Sequence, residues 1–343
     1  MINWLLAPEK TRRNAYIEIA ENTGMSPFAV EKDWWVVQTL ATIFEMDVAK
    51  YLLFKGGTSL SKAWKLIERF SEDIDLALDR EFFGFTGELS KNQRDKIKKT
   101  SGKYIDEVFF PELKGRFQER GFSDLTLELE VEAASDRDRK INLYYPYVIE
   151  SPGYLQPKVQ LEIGSRSLKE PYTVKTFCSL VDERYPNREF TLAPVNIPTV
   201  NPERTFLEKI FLLHEEFQRP TQKRRVERLS RHIYDVVKLS RTEFAEKALI
   251  DPELYTTILK HRQKFTRVGG VNYNLHQPQS INPLPTVEAM DAWKKDYSTM
   301  LEQMIYEENP PSFEQLMDEM NSIKFKINNL PWKIEVKFPL PNF

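Results

Sequence analysis

A single cysteine, Cys178, stands in 343 residues, so the chain forms no internal disulfide and builds no cysteine-rich zinc site. That scarcity fits a reducing compartment. Histidine is sparse as well: His214, His232, His261 and His276 include no H-x-x-x-H pair, which argues against a histidine-built metal site. An excess of either charge is missing, because 49 Lys+Arg meet 51 Asp+Glu for a formal net charge of -2. There is therefore no global basic field, and any polynucleotide partner must meet a local patch. No stretch approaches the roughly 18 consecutive apolar residues of a membrane-spanning helix, and the start Met1-Ile2-Asn3-Trp4-Leu5-Leu6-Ala7-Pro8 is too short for a signal peptide. The expectation is a cytoplasmic protein.

What is present describes an ordinary globular chain, with 41% hydrophobic and 29% charged residues. At roughly 100–200 residues per domain its length suits two domains. The first fifty residues predict helices: Glu9 to Glu21 ends at Asn22-Thr23-Gly24, and Ser26-Pro27 supplies an N-cap and an N1 proline for a second helix running to about Phe44. Phe28, Trp35, Leu40 and Ile43 together with Trp34 and Val36 predict packing on more than one side. The pair has the spacing of a helix-turn-helix; packed scaffolding is its ordinary reading.

From Tyr51 the pattern becomes strand, tight turn, helix: Tyr51-Leu52-Leu53-Phe54-Lys55, then Gly56-Gly57, then Thr58-Ser59-Leu60-Ser61-Lys62-Ala63-Trp64. The segment Ser71-Glu72-Asp73-Ile74-Asp75-Leu76-Ala77-Leu78 alternates with period two, so one strand presents Asp73 and Asp75 on one face. Residues 88–120 are charged and helical. Their basic stretch at Lys91, Arg94, Lys96, Lys98, Lys99 and Lys103 is a solvated helix face or a phosphate contact. Two further strands are legible, Leu125 to Val131 and Lys158 to Ile163, before an irregular, proline-punctuated region from Pro171 to Pro198. After Asn201-Pro202, another N-cap and N1 proline, helices are predicted: one through about Phe217, one containing Arg228, Arg231, His232, Tyr234 and Asp235, more over residues 241–308, and a last from Ser312 to about Ile323. No internal repeat is apparent.

The Gly-Gly turn and the Asp-x-Asp strand together make a coherent phosphoryl-transfer device. The turn lets backbone amides and a helix N-terminus approach a polyanion, and Thr58, Ser59 or Ser61 can add hydroxyl donors. Carboxylates at i and i+2 of a strand share a face, so both can ligate Mg²⁺, and the metal relieves their mutual repulsion.

Phe54-Lys55-Gly56-Gly57-Thr58-Ser59-Leu60 followed by Arg69-Phe70-Ser71-Glu72-Asp73-Ile74-Asp75-Leu76 resembles the AbiEii/AbiGii toxin family of the DNA-polymerase-β-like nucleotidyltransferase superfamily. Val30-Glu31-Lys32-Asp33-Trp34-Trp35-Val36, Leu161-Glu162-Ile163-Gly164-Ser165-Arg166 and Arg231-His232-Ile233-Tyr234-Asp235 agree, extending the likeness over about residues 25–240. The resemblance implies an α+β fold: a nucleotidyltransferase core with a mixed sheet and N-terminal helices over 1–200, and a helical C-terminal domain over 201–343. It implies a toxin of a bacterial toxin–antitoxin or phage-defence pair, with a cognate antitoxin, that uses Mg²⁺ to move NMP from an NTP to an acceptor. RNA, the tRNA 3′ end, is the favoured acceptor; a protein hydroxyl, or a non-catalytic binding role on the same fold, are the alternatives.

The resemblance also implies roles. Asp73 and Asp75 bind the metal, while Gly56, Gly57, Thr58 and Ser59 hold the nucleotide phosphates. Glu162 is either the superfamily's third carboxylate, helping to deprotonate the attacking hydroxyl, or an exposed strand glutamate. Lys209 contacts the triphosphate or snorkels beside Phe206 and Leu213. Asp235 matches the family's final aspartate, and His232 stands where relatives often have aspartate. Arg166 and Arg231 hold phosphate or pair with these acids. Trp34, Trp35, Tyr144 and Tyr145 are stacking platforms or core residues.

Overall fold

The computed structural model describes residues 3–130, 139–151, 156–165 and 170–341. They fall into two compact units, the first made of residues up to Lys65 and of Arg69–Val200, the second of Leu66–Glu68 and Asn201–Phe343.

The first unit opens with α1 (Asn3–Leu6), α2 (Glu9–Thr23) and α3 (Pro27–Ile43). Gly24 ends α2 in the left-handed conformation at φ 72°, and the Ser26 hydroxyl caps α3 by accepting from Ala29 N at 3.2 Å. Of the 17 residues of α3, 15 are buried, so this helix has no free face with which to enter a DNA groove. The packed-scaffold reading of the pair is the one the structure shows. Trp34, Trp35 and Tyr145 are core residues, Trp35 stacking on Tyr145 with ring centroids 5.1 Å apart; Tyr144 is exposed.

One seven-stranded sheet follows in the order β3-β4-β5-β2-β1-β7-β6. Its strands are β1 (Leu52–Lys55), β2 (Asp73–Leu78), β3 (Thr126–Glu130), β4 (Arg139–Tyr144), β5 (Lys158–Gly164), β6 (Tyr172–Phe177) and β7 (Val195–Val200). It is mixed: β1 runs parallel to β7 and β2 parallel to β5, while the other neighbours are antiparallel. Ile74 and Leu76 of β2, Val159, Leu161 and Ile163 of β5, Ile141 and Leu143 of β4 and Phe54 of β1 join one core with Trp34, Val37 and Leu40 of α3. Each such side chain, fully buried, contributes about 1.5–3 kcal/mol. The short helix α4 (Gly56–Thr58), continued by a wider turn through Ala63, leads from β1. It is followed later by α5 (Lys91–Tyr104) and α6 (Phe110–Glu119), then α7 (Leu180–Arg184) between β6 and β7.

Two strands depart from the sequence reading. β4 was not expected, and β6 replaces the first part of the irregular 171–198 region. β6 is an edge strand whose Tyr172, Thr173, Val174 and Thr176 are exposed, so it lacks the one-sided apolar alternation that marks a half-buried strand. Val131 lies outside the described residues.

The second unit contains α8 (Pro202–Gln218), α9 (Ser230–Ser240), α10 (Glu243–Leu249), α11 (Pro252–Phe265), α12 (Met290–Gln303) and α13 (Phe313–Asn328). Phe206, Leu207, Ile210, Phe211 and Leu213 of α8, with Ile233, Val236, Val237 and Leu239 of α9, are fully buried. Three details differ from expectation. Asn201 sits at the N-cap of α8 without a side-chain cap bond, and Arg228 precedes α9 at a φ of 60° instead of belonging to it. The last helix runs five residues past Ile323 to Asn328, because Ile327 is buried and extends its apolar stripe. Among the described residues no helix is long and apolar enough to cross a membrane.

Candidate active site

Asp73 and Asp75 stand on the half-buried polar face of β2, alternating with buried Ile74 and Leu76. Sheet register extends that face on both sides. Lys55 of β1 lies opposite Asp75, Glu162 of β5 lies beside it, and Lys140 of β4 lies beside Glu162. One rung across four strands thus reads Lys55, Asp75, Glu162, Lys140, with Glu130 of β3 at its end. The sign alternates except between Asp75 and Glu162. Glu162 closes a bridge to Lys140 Nζ at 3.0 Å.

The turn from β1 into α4 is folded against this carboxylate pair. Gly56 has a φ of +79°, and a Cβ there would lie 1.9 Å from Asp75 Oδ2. Only glycine lets the backbone approach so closely. A Cβ at Gly57 would lie 2.7 Å from Ser71 Oγ and 2.8 Å from Arg69 Nη2, which places a buried guanidinium beside the turn. The hydroxyls are spent inward. Thr58 Oγ1 donates to the Asp73 carbonyl, Ser59 Oγ to Gly56 O at 2.9 Å and Ser61 Oγ to Thr58 O at 3.2 Å. Thr58 therefore ties the turn to the strand that bears Asp73. A hydroxyl has one proton to give, so what the first turn offers an anion is its backbone amides.

Three successive charged residues of α3, all buried, each hold a different segment. Glu31 accepts Val148 N at 2.9 Å and Ile149 N at 3.0 Å. Burial pushes its carboxyl up to about 7, against the lowering effect of those two bonds. Lys32 Nζ binds Glu72 at 2.6 Å and Gln156 O at 2.9 Å. Asp33 binds Lys62 at 2.8 Å and accepts Leu180 N at 2.7 Å. Glu72 immediately precedes Asp73, and Lys62 follows the Gly-Gly turn by five residues. α3 thus clamps both arms of the site.

In the second unit, Lys209 Nζ lies 2.8 Å from Asp235 Oδ2 and 3.2 Å from His232 Nδ1, with Asp235 fully buried. α8 and α9 bring these three together, and Arg231 precedes His232 on α9. Of the expected site residues, then, Gly56, Gly57, Thr58, Ser59, Asp73, Asp75 and Glu162 gather in the first unit, and Lys209, Asp235 and Arg231 in the second. Arg166 lies outside the described residues. Arg69, Lys62, Glu72 and Asp33 were not singled out for a role from sequence, although each falls within a quoted motif. Cys178 is not an activated nucleophile, since burial pushes its thiol up.

Among the described residues no group of three or more His, Cys, Asp or Glu is placed to hold a metal ion. Two hard carboxylates on one strand face fit Mg²⁺, which keeps several waters and is commonly bound by one or two carboxylates plus substrate phosphates.

Residues 38–319 match the model of a protein family described as "Nucleotidyl transferase AbiEii toxin, Type IV TA system". Among solved structures the chain is similar to MenT4, a nucleotidyltransferase toxin from Mycobacterium tuberculosis H37Rv, at 18% identity over 94% of this chain and 99% of that one, with a TM-score of 0.45. No curated protein matches.

Proposed function

We propose a function from one premise: the chain belongs to the AbiEii nucleotidyl transferase toxin family, and its activity is nucleotidyl transfer by the toxin of a toxin–antitoxin system. The finer reading is Mg²⁺-dependent transfer of NMP from an NTP to RNA, at the tRNA 3′ end, in phage defence and under a cognate antitoxin. The observation that carries it is the pair Asp73 and Asp75 on one strand face against the Gly56 backbone.

In this reading Asp73 and Asp75 hold Mg²⁺, which supplies charge neutralisation for the triphosphate when bound. The first-turn amides after Gly56, with Arg69 beside Gly57, hold phosphate oxygens. The acceptor hydroxyl oxygen forms a bond to the α-phosphorus, the bond from that phosphorus to the bridging oxygen breaks, and pyrophosphate leaves. Glu162, in register beside Asp75, takes the hydroxyl proton, its carboxylate oriented by Lys140. Lys209, Asp235 and Arg231 keep the charge roles that the family resemblance implies. Thr58 and Ser59 act by fixing the turn, since their hydroxyl protons are committed.

The test is label transfer from each α-³²P-NTP onto total bacterial RNA and protein with Mg²⁺, beside Asp73→Ala and Asp75→Ala. A labelled RNA band that vanishes in both variants and on chelation supports the reading. Label confined to a protein band replaces RNA by a protein hydroxyl as acceptor, and no label on either refutes the reading.

A further inference from the structure

The charged rung that runs through Asp75 differs in character on its two sides. On the β5 side Glu162 lies in register beside Asp75, and the cation beyond it, Lys140, is engaged by Glu162 at 3.0 Å. On the β1 side the neighbour is Lys55, set opposite Asp75 in the antiparallel pair. Phe54 before it is fully buried in the core, so the half-buried Lys55 side chain shares the carboxylate face. Among the described residues Lys55 makes no ion pair, although opposite residues of such a pair stand within reach of a lysine stem. An ammonium beside two carboxylates also repels any divalent cation they bind. Its placement is favourable only towards an anion that arrives with the metal.

The direction of the reaction fixes where that anion lies. In an in-line displacement the attacking and leaving oxygens stand on opposite sides of the phosphorus. In the reaction proposed above Glu162 takes the proton of the acceptor hydroxyl, which puts the acceptor on the β5 side of Asp75. The pyrophosphate then departs on the β1 side. There the rung supplies Lys55, and the glycine turn follows it directly in sequence, with Arg69 beside Gly57. The donors thus gather on one side of Asp75 and the base on the other.

We propose that Lys55 binds the β- and γ-phosphates of the NTP and stabilises the charge that builds on pyrophosphate as it leaves. The assignment rests on the nucleotidyl-transfer reading and adds a polarity to it, with the leaving group over β1 and the acceptor over β5. Lys140 does not substitute for Lys55, because its ammonium is spent on Glu162. One consequence separates this role from a structural one. Removing the Lys55 charge takes away a repulsion for the metal and an attraction for the triphosphate, so the two affinities move in opposite directions. A loosened site would lower both.

The experiment measures two affinities on the full chain. Electron paramagnetic resonance follows Mn²⁺, used in place of Mg²⁺, and the portion of binding lost in Asp75→Ala is assigned to the carboxylate site. Calorimetry follows the α,β-methylene analogues of ATP, GTP, CTP and UTP at saturating Mg²⁺. Wild type is compared with Lys55→Met, Lys55→Arg and Lys140→Met; circular dichroism verifies the fold, and Lys55→Gln repeats the neutral substitution with a polar side chain. The expected result for both neutral variants is Mn²⁺ bound about threefold or more tighter, and the preferred analogue about tenfold or more weaker, as loss of a charged hydrogen bond implies. Lys55→Arg should stay within about threefold of wild type on both counts. Lys140→Met should keep analogue affinity within about threefold while lowering transfer. Unchanged analogue affinity in Lys55→Met and Lys55→Gln, or Mn²⁺ affinity that does not rise in them, overturns the assignment. So does an equal loss of analogue affinity in Lys140→Met. Wild type that transfers label yet gives any of these results sinks the role of Lys55 alone, whereas wild type that binds none of the analogues sinks the nucleotidyl-transfer reading with it.

Discussion

Replacing Gly56 by alanine tests the closeness of turn and carboxylate, and two other glycines separate its causes. At Gly56 a Cβ meets Asp75 Oδ2 at 1.9 Å, Cγ at 2.8 Å and Cβ at 3.0 Å, all in one side chain, and the backbone sits at a φ of +79°. The left-handed conformation costs a non-glycine residue roughly 1–2 kcal/mol, and forcing bulk into a packed site a further 1–3 kcal/mol or so. Gly84 has nearly the same φ, +75°, with nothing within 4 Å, so Gly84→Ala measures the backbone cost alone, about 1–2 kcal/mol. Gly115 lies in α6 with open space around it, and Gly115→Ala should stabilise by about 0.5–1 kcal/mol. Urea midpoints should therefore rank Gly115→Ala above wild type, Gly84→Ala below it and Gly56→Ala lowest. In an Asp75→Ala background, where the two nearest atoms are gone, the Gly56→Ala cost should fall towards the Gly84→Ala value. Label transfer should drop about a hundredfold or more in Gly56→Ala, because relieving the clash displaces a carboxylate by around an ångström, and stay near wild type in the other two. Equal midpoints for Gly56→Ala and Gly84→Ala, with transfer retained, would refute the seating of Gly56 on Asp75.

Further expectations follow from the buried charges. Lys62→Met leaves Asp33 buried with one backbone donor and should cost about 3–5 kcal/mol in urea melts; the double variant with Asp33→Leu should recover most of it. Glu31 has its carboxyl raised to about 7, so the native state holds a proton that the unfolded chain has already released, and this group's stabilisation declines as pH rises from about 4.5 to 7 and is flat above. The decline is about 3 kcal/mol at most, and Glu31→Gln should flatten that part of the stability–pH curve; an unchanged slope would contradict the assignment. Lys209→Met removes the ammonium 2.8 Å from fully buried Asp235 and should lower the melting temperature, whereas Lys209→Met with Asp235→Leu should restore it without restoring transfer. Recovery of transfer in that double variant would remove Lys209 and Asp235 from the chemistry.

β1, the glycine turn and β2 were readable because each obeys a local rule: period-two burial in the strands, and paired glycines between an apolar run and a helix. β4 was harder, since Arg139 and Lys140 open it and only Ile141 and Leu143 carry its apolar alternation. The place of Glu162 beside Asp75 depends on strand order, which no local pattern encodes. Lys32 and Asp33 show the same limit more sharply. Their partners stand 40, 124, 29 and 147 residues away in sequence, so a helix that reads as charged at its start is buried there. The inward use of the Thr58 and Ser59 hydroxyls was equally hidden, because a serine that fixes a turn and one that binds phosphate look alike in a motif.

Those buried charges explain how an intrinsically unfavourable site is held. Two carboxylates share one strand face, a third lies in register beside them, and a left-handed glycine is pressed against one of them. None of this favours folding by itself. Hydrophobic contacts bury α3 on the sheet but are not directional, and they would tolerate a shift of the turn or of β2 by a fraction of a residue. A buried ion pair adds little net stability, yet it is costly to leave half-made, so it penalises displacement steeply. Lys62 with Asp33 restrains the arm that carries the turn, and Glu72 with Lys32 the arm that carries Asp73. Both anchors sit on consecutive residues of one helix. The distance between the glycine turn and the carboxylate strand is thus set by a rigid element outside the reacting groups, and substitutions at Lys32 and Asp33 should degrade nucleotidyl transfer even though neither residue touches the carboxylate pair.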